Sequence, residues 1–137
     1  MDATTEAVQR RLRDEEEIWL TTVRSDGQPQ TSPVGFLWDG ERFLVLTQPD
    51  SAKVRNLGAN ARVSLHLDID RADGDGGGVL TVEGAAVVEA GPLTGDEAAR
   101  YVAKYRATMD LVGVTADEFL AGYSAVVRIT PTRTRAY

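Results

Sequence analysis

The stretch QTSPVGFLWDGERFLVLTQPDSAKVRNLGANARVSLHLD, residues 30–68, decides how this chain folds. Two apolar runs in it are joined by Asp39-Gly40, a strong hairpin signal, because glycine reaches the positive φ such turns require. A short segment carrying Ser51, Lys53 and Arg55 follows. After it, Val63, Leu65 and Leu67 alternate with Ser64, His66 and Asp68, the two-residue period of a strand with one face buried. On that pattern His66 points away from the interior. Two strands, a basic helical connector and a further strand make a unit able to hold an anion.

Outward from this stretch the chain reads as strands with short connections. Residues 4–15 predict a helix, with Thr4 or Thr5 as its cap, Glu6 in the first turn and Arg10, Arg11 and Arg13 later. Its apolar stripe, Val8 and Leu12, is thin, which predicts a helix lying on the surface. Residues 18–24 predict a first strand, Ser25-Asp26-Gly27 a turn, and residues 28–38 a second strand. Pro33 in the middle of that strand lacks an N–H for the ladder and predicts an edge, a bulge or a local break that frees backbone groups for a ligand. Residues 42–47 form the third strand. A helix over 51–58 follows, capped by Asp50 or Ser51 and stopped by Gly58; residues 62–68 are the fourth strand.

Residues 69–78, IDRADGDGGG, read as a polar glycine-rich loop, and 79–89 as the fifth strand with Gly84 at a bulge. Thr94 and Glu97 have the spacing of a capping box, followed by Ala98, Tyr101, Val102 and Tyr105 at helical spacing. Thr115 and Glu118 predict a second box on a short helix over 115–121. Residues 124–130 form the sixth strand, interrupted by Pro131. The expected fold is mainly β: a small six-stranded antiparallel barrel with an N-terminal helix and an internal helix pair. Hairpin connections favour antiparallel pairing, and closing the sheet removes its exposed edges.

Composition narrows the function. The 137 residues suit one domain, expected to span 1–137, with a core that needs neither disulfide nor metal. No cysteine is present and only one histidine, so thiolate chemistry and multi-histidine metal sites are excluded. A net charge of −6 argues against non-specific nucleic-acid binding but not against a local basic pocket. The N-terminal residues show no apolar core of the signal-peptide kind, and no apolar run approaches the roughly 20 residues a membrane span needs; a cytoplasmic location is the expectation.

Two groups of residues carry chemistry. Ser51, Lys53 and Arg55 sit at a helix start, where free N–H groups and the helix dipole favour phosphate. Thr47, ending the strand before them, brings a hydroxyl to the same place. The same residues also fit an ordinary solvated helix face. Thr31, Ser32, Pro33 and Val34 form the second group, small polar residues beside a proline, suited to a planar ring or to an irregular edge strand. His66 titrates near neutrality but is more simply a surface residue. Trp19, Trp38 and Tyr137 suit ring stacking, core packing or a subunit contact. Asp68, Asp70, Asp73 and Asp75 imitate a calcium loop, yet positions six and twelve from Asp68 are Asp73 and Val79 where glycine and glutamate are needed. The glycines at 74–78 precede a strand, not the helix of a dinucleotide fingerprint.

The segments DGQPQTSPVGFLWDG at 26–40, LTQPDSAKVRNLGANARVSLHLD at 46–68 and VEGAAVV at 82–88 resemble the pyridoxamine 5′-phosphate oxidase-like split β-barrel superfamily. Within it they are most similar to the short actinobacterial branch of coenzyme F420-dependent oxidoreductases. The resemblance implies a homodimer with two equivalent cofactor sites at the subunit interface. It implies that Thr47, Ser51, Lys53 and Arg55 hold the phosphate region of F420, or of FMN as the alternative. Thr31, Ser32, Pro33 and Val34 would line the ring, and His66 or Asp68 would approach from the partner subunit. No counterpart follows of the C-terminal extension of true pyridoxamine phosphate oxidases, with its substrate-binding arginine and histidine, so vitamin B6 oxidation is not the expected activity. The expected activity is hydride transfer between the deazaflavin and a small unsaturated or conjugated substrate; a non-catalytic flavin- or haem-type binding protein is the alternative of another class. Arg24, Arg133 and Arg135 would favour the polyanionic tail of F420 if they face the site.

Overall fold

The computed structural model describes residues 5–71 and 78–137. The strands are β1 (Ile18–Val23), β2 (Pro29–Val34), β3 (Leu37–Trp38), β4 (Phe43–Thr47), β5 (Arg62–His66), β6 (Leu80–Ala90) and β7 (Ala125–Ala136). The helices are α1 (Glu6–Asp14), α2 (Ala52–Ala59), α3 (Gly95–Val112) and α4 (Ala116–Gly122). All strand pairs are antiparallel, in one sheet of order β2-β1-β5-β6-β7-β4-β3. The sheet thus has seven strands, not six, because the expected strand over 28–38 is two. The interruption falls at Gly35-Phe36, and Pro33 lies within β2 opposite Trp19. An edge strand tolerates that proline, since one side of it needs no ladder.

This interruption closes the fold. β2 and β3 are the two edges of the sheet, yet only Gly35 and Phe36 lie between them. The three Cα steps from Val34 to Leu37 reach about 11 Å at most. The sheet must therefore curl until its edges meet, and the result is a split barrel with its seam at Gly35-Phe36. Ile18, Leu20, Phe36, Phe43, Val45, Leu65, Leu80, Val127 and Ile129 fill the interior. The alternate residues of β4 and β7, Leu44, Leu46 and Val126, pack outside against Leu93, Ala98 and Tyr101. Every residue of β4 is consequently buried.

Several expectations are corrected. The first helix lies on the surface as expected, with Glu6, Arg10, Arg13 and Asp14 exposed, but its thin stripe, Val8 and Leu12, is part of the main core. Arg11 is buried with them, donating to the carbonyls of Asp68 (2.6 Å) and Gly78 (3.1 Å) and pairing with Glu15 (2.9 Å). Gly58 does not stop α2, which runs to Ala59 and is capped by Asn60. The expected box at Thr94 is not made: its hydroxyl makes no capping bond, and both carboxylate oxygens of Glu97, the reciprocal half of the box, face Arg128. Pro131 does not interrupt the last strand. Beyond Ile129 the pairing with β4 ends and, among the described residues, β7 pairs with β6 alone; Pro131 lies opposite Gly84 where the register shifts. A Cβ at Gly84 would meet the Thr130 carbonyl oxygen at 2.8 Å, which explains glycine at the bulge. The predicted capping box at Thr115 and Glu118 is present. Most of the glycine-rich loop, residues 72–77, lies outside the described residues.

Arg128 ties β7 to its surroundings, donating to Glu97 at 2.7 and 2.8 Å and to Glu89 at 3.1 Å. The guanidinium holds the Glu97 carboxyl below its ordinary value. A carboxylate whose pKa is depressed in the folded state stabilises it above its unfolded pKa, and that stabilisation is lost as pH falls through the folded pKa. Glu97→Gln is expected to cost about 1 kcal/mol at neutral pH, after allowance for the water that still reaches the pair. Urea unfolding should show the gap between variant and wild type closing as pH falls below the carboxylate range. A gap that does not change with pH would mean the ion pair contributes nothing.

Candidate functional site

A cleft of about 650 Å³ runs along the seam, within the range of about 300–1,000 Å³ usual for small-molecule sites. The end of β4 and the start of α2 supply Thr47, Ser51 and Lys53. The end of β2 supplies Pro33, Val34 and Gly35. Helices α3 and α4 supply Tyr101, Tyr105, Met109 and Phe119, with Tyr123 just beyond, and the α1–β1 loop supplies Glu16 and Glu17.

The polar end follows from local capping. Ser51 is the N-cap of α2, its oxygen accepting from the Val54 amide at 3.4 Å and from the Thr47 hydroxyl at 3.3 Å. With both bonds accepted, the Ser51 hydrogen is left for another acceptor. Lys53, in the first turn of α2, is half-buried beside them. A hydroxyl pair, a helix start and an ammonium form a donor set suited to one phosphate. Lys53 is also the only cation lining the cleft among the described residues, against the carboxylates of Glu16, Glu17 and Glu118. Glu118 is partly engaged, accepting from the Thr115 amide at 3.3 Å.

The opposite wall is aromatic. Tyr101 lies 5.0 Å from Tyr105 and 5.9 Å from Phe119 between ring centroids, and Phe119 stacks on Tyr123 at 4.7 Å. Burial pushes the Tyr101 phenol up, and pushes that of Tyr105 to about 12. Both stay protonated at neutral pH, and the Tyr105 hydroxyl acts as a hydrogen-bonding group, not a base. Lys104 lies beside the wall, donating to the Phe36 carbonyl at 2.8 Å, with its ammonium 3.8 Å from the centre of the Phe36 ring. Burial pulls its pKa down to about 8. A strand break was expected to free backbone groups for a ligand; at Phe36 those groups are already taken by α3.

The structure brings Thr47, Ser51, Lys53, Pro33 and Val34 together, and separates the other expected residues from them. Thr31 lies on the outer face of the sheet, its hydroxyl 2.7 Å from that of Thr21. Ser32, opposite Leu20, does not line the cleft. Arg55 is exposed and donates to the Asp50 carbonyl, at the start of its own helix. His66 is exposed on the outer face, as its alternation requires, and stacks on Trp19 with 6.1 Å between centroids; the Trp19 indole donates to Asp68 at 2.8 Å. Trp38 packs on Phe43, and Tyr137 is exposed. Arg24 is paired with Asp26 at 2.6 Å and, like Arg133 and Arg135, does not line the cleft. Sequence reasoning missed Tyr101, Tyr105 and Phe119 as site residues. Their helical spacing signalled only a buried face.

A second cavity, about 430 Å³, is lined by Asp39, Arg42, Glu89, Glu97, Arg100 and Arg128; Arg128 pairs with Glu89 and Glu97, and Arg100 pairs with Asp96. Among the described residues no cluster of three or more histidine, cysteine or acidic side chains is arranged to hold a metal, and no helix is long and apolar enough to cross a membrane.

The sequence model of the pyridoxamine 5′-phosphate oxidase family matches residues 4–137. The chain belongs to that family. Among solved structures this family member is similar to an F420 reductase, with 25% identity, coverage of 96% of this chain and 98% of the other, and a TM-score of 0.75. It is also similar to the conserved hypothetical protein Rv2991 from Mycobacterium tuberculosis, with 23% identity, 97% and 84% coverage and a TM-score of 0.71. The haem storage protein HutZ from Vibrio cholerae shares 19% identity over 96% and 92% of the two chains, with a TM-score of 0.61. The last two likenesses concern the fold alone. No curated protein matches the chain.

Proposed function

We propose that this family member is a cytoplasmic, single-domain oxidoreductase that uses coenzyme F420 to transfer hydride to or from a small unsaturated or conjugated substrate. The observation that carries this reading is the meeting, in one cleft, of the Thr47–Ser51–Lys53 donor set with the end of β2 and an aromatic wall. The similarity to an F420 reductase over nearly the whole chain supports the deazaflavin. Thr47, Ser51 and Lys53 would hold the phosphate, and Pro33 and Val34 would lie along the ring. The bound cofactor would supply the hydride; the protein supplies orientation and excludes water. No protein group is assigned as the proton donor.

The protein acts as a homodimer in this reading, with a cofactor site at each end of the subunit interface. Thr31, Ser32, Arg55, His66 and Asp68, which stand away from the cleft, would meet the cofactor or the partner across that interface. FMN is the second reading, and one observation favours it: a cleft with one cation and three carboxylates suits a single phosphate better than a polyglutamate tail. Side-by-side titrations with F420 and FMN, followed by ligand absorbance and fluorescence, test both. Micromolar-range binding of F420 with weaker FMN binding is expected; the reverse order selects the FMN reading. A protein that perturbs neither spectrum refutes both.

A further inference from the structure

We propose that Tyr105 is a positioning residue of this site, its phenol bolting the barrel seam to the α1–β1 loop and so setting the width of the ring-binding end. The inference rests on the cofactor reading above. Its basis is a hydrogen-bond account of the seam. Where β2 passes to β3 the chain leaves the sheet, so the Phe36 amide and carbonyl have no ladder partner and yet lie beside a fully buried side chain. Buried backbone groups need partners from elsewhere.

Helix α3 supplies them. The Phe36 amide donates to the Tyr105 hydroxyl oxygen at 2.8 Å. The phenol has one proton and two carbonyls within reach, Glu16 at 2.6 Å and Phe36 at 3.1 Å. The Glu16 contact is the shorter, and Lys104 also serves the Phe36 carbonyl at 2.8 Å, so the phenol proton is assigned to Glu16. One oxygen therefore joins α3, the seam and the loop before β1. Pro33, Val34 and Gly35 on one side of that junction, and Glu16 and Glu17 on the other, line the same cleft. The fit leaves no slack: a Cβ at Gly35 would lie 2.9 Å from the Tyr101 hydroxyl and 3.2 Å from Tyr105. Lys53 and Ser51, on β4–α2, stand outside this junction, so the two ends of the cleft are held by different contacts.

That separation makes the test. Tyr105→Phe keeps the ring on Tyr101 and removes only the hydroxyl. FMN and riboflavin, or F420 and its phosphate-free deazaflavin chromophore, are titrated into folded wild type and variant, whichever pair the wild type binds. Tyr105→Phe is expected to weaken both members of the pair by the same factor, roughly tenfold, with a changed shape of the bound chromophore's absorption band. The preference for the phosphorylated member should stay at the wild-type value. Unchanged affinity and band shape in a folded variant, or a loss confined to the phosphorylated member, overturns the inference alone. If Tyr105→Phe does not fold, Lys104→Met, which removes the other bond to Phe36, is read by the same two criteria. A wild type that binds neither pair overturns the cofactor reading and this inference together.

Discussion

Replacing Phe36 by alanine is expected to lower the unfolding free energy by about 3–5 kcal/mol, the usual cost of emptying a fully buried aromatic site. Phe36 is completely buried, packs on Phe43 with 6.0 Å between ring centroids and lies under the Lys104 ammonium. It also occupies the seam, where its backbone is held by Tyr105 and Lys104, so the surroundings have little means of collapsing into the void. A second signature accompanies the loss. In the wild type the Lys104 pKa is about 8, below its unfolded value. The unfolded chain therefore binds more protons between that pH and the ordinary lysine range, and stability contributed through Lys104 rises with pH across this window. Without the ring, water reaches the ammonium, its pKa climbs back and the rise shrinks. Urea unfolding of both proteins at neutral pH and at about pH 10 measures both effects. A loss below about 1 kcal/mol would show that the seam repacks freely.

Lys53→Ala is expected to weaken binding of the phosphorylated cofactor by about 1.5–3 kcal/mol, the value of a hydrogen bond to a charged group. In affinity this is roughly 10- to 150-fold. The larger figure is favoured because, among the described residues, the substitution leaves only carboxylates, those of Glu16, Glu17 and Glu118, as charged side chains lining the cleft. Alanine is a good helix former, so α2 should remain intact and Ser51 should still cap it. The difference between wild type and variant should narrow with added salt, as the ion contact is screened. Lys53→Arg should restore only part of the affinity, because a guanidinium is longer and binds in a different geometry. Isothermal titration of the three proteins at two salt concentrations gives the result. Equal affinities would remove Lys53 from the site and leave the polar end to the hydroxyls.

Alternation alone was enough to read β5, since Val63, Leu65 and Leu67 on one side leave only one way for it to face a core, and turn signals with β-branched runs marked the other strands. Local chemistry was equally legible. Ser51 and Thr115 cap because their hydroxyls reach amides three residues on, and Gly84 marks a bulge that admits no side chain. Thr47, Ser51 and Lys53 could be grouped for the same reason: they lie within seven residues, and one strand end and one helix start hold them together.

Contacts distant in sequence were not legible. Val8 and Leu12 look like a thin surface stripe until the barrel end they cover exists. Glu97 has the spacing of a cap, but Arg128, 31 residues away, is a stronger partner. The seam is the clearest case. Residues 28–38 read as one strand around Pro33, and nothing local distinguishes Gly35-Phe36 as the place where the sheet closes. That is decided when seven strands curl and Tyr105 and Lys104, about 70 residues further along, arrive to take the Phe36 amide and carbonyl. By itself the sequence determined most of the strands, the Ser51 and Thr115 caps and the nearness of Thr47, Ser51 and Lys53, because each depends on neighbours within a turn or a pleat. Only the tertiary structure decided where the barrel closes and which aromatic wall faces the polar end, because both depend on unpaired backbone groups that the folded sheet creates.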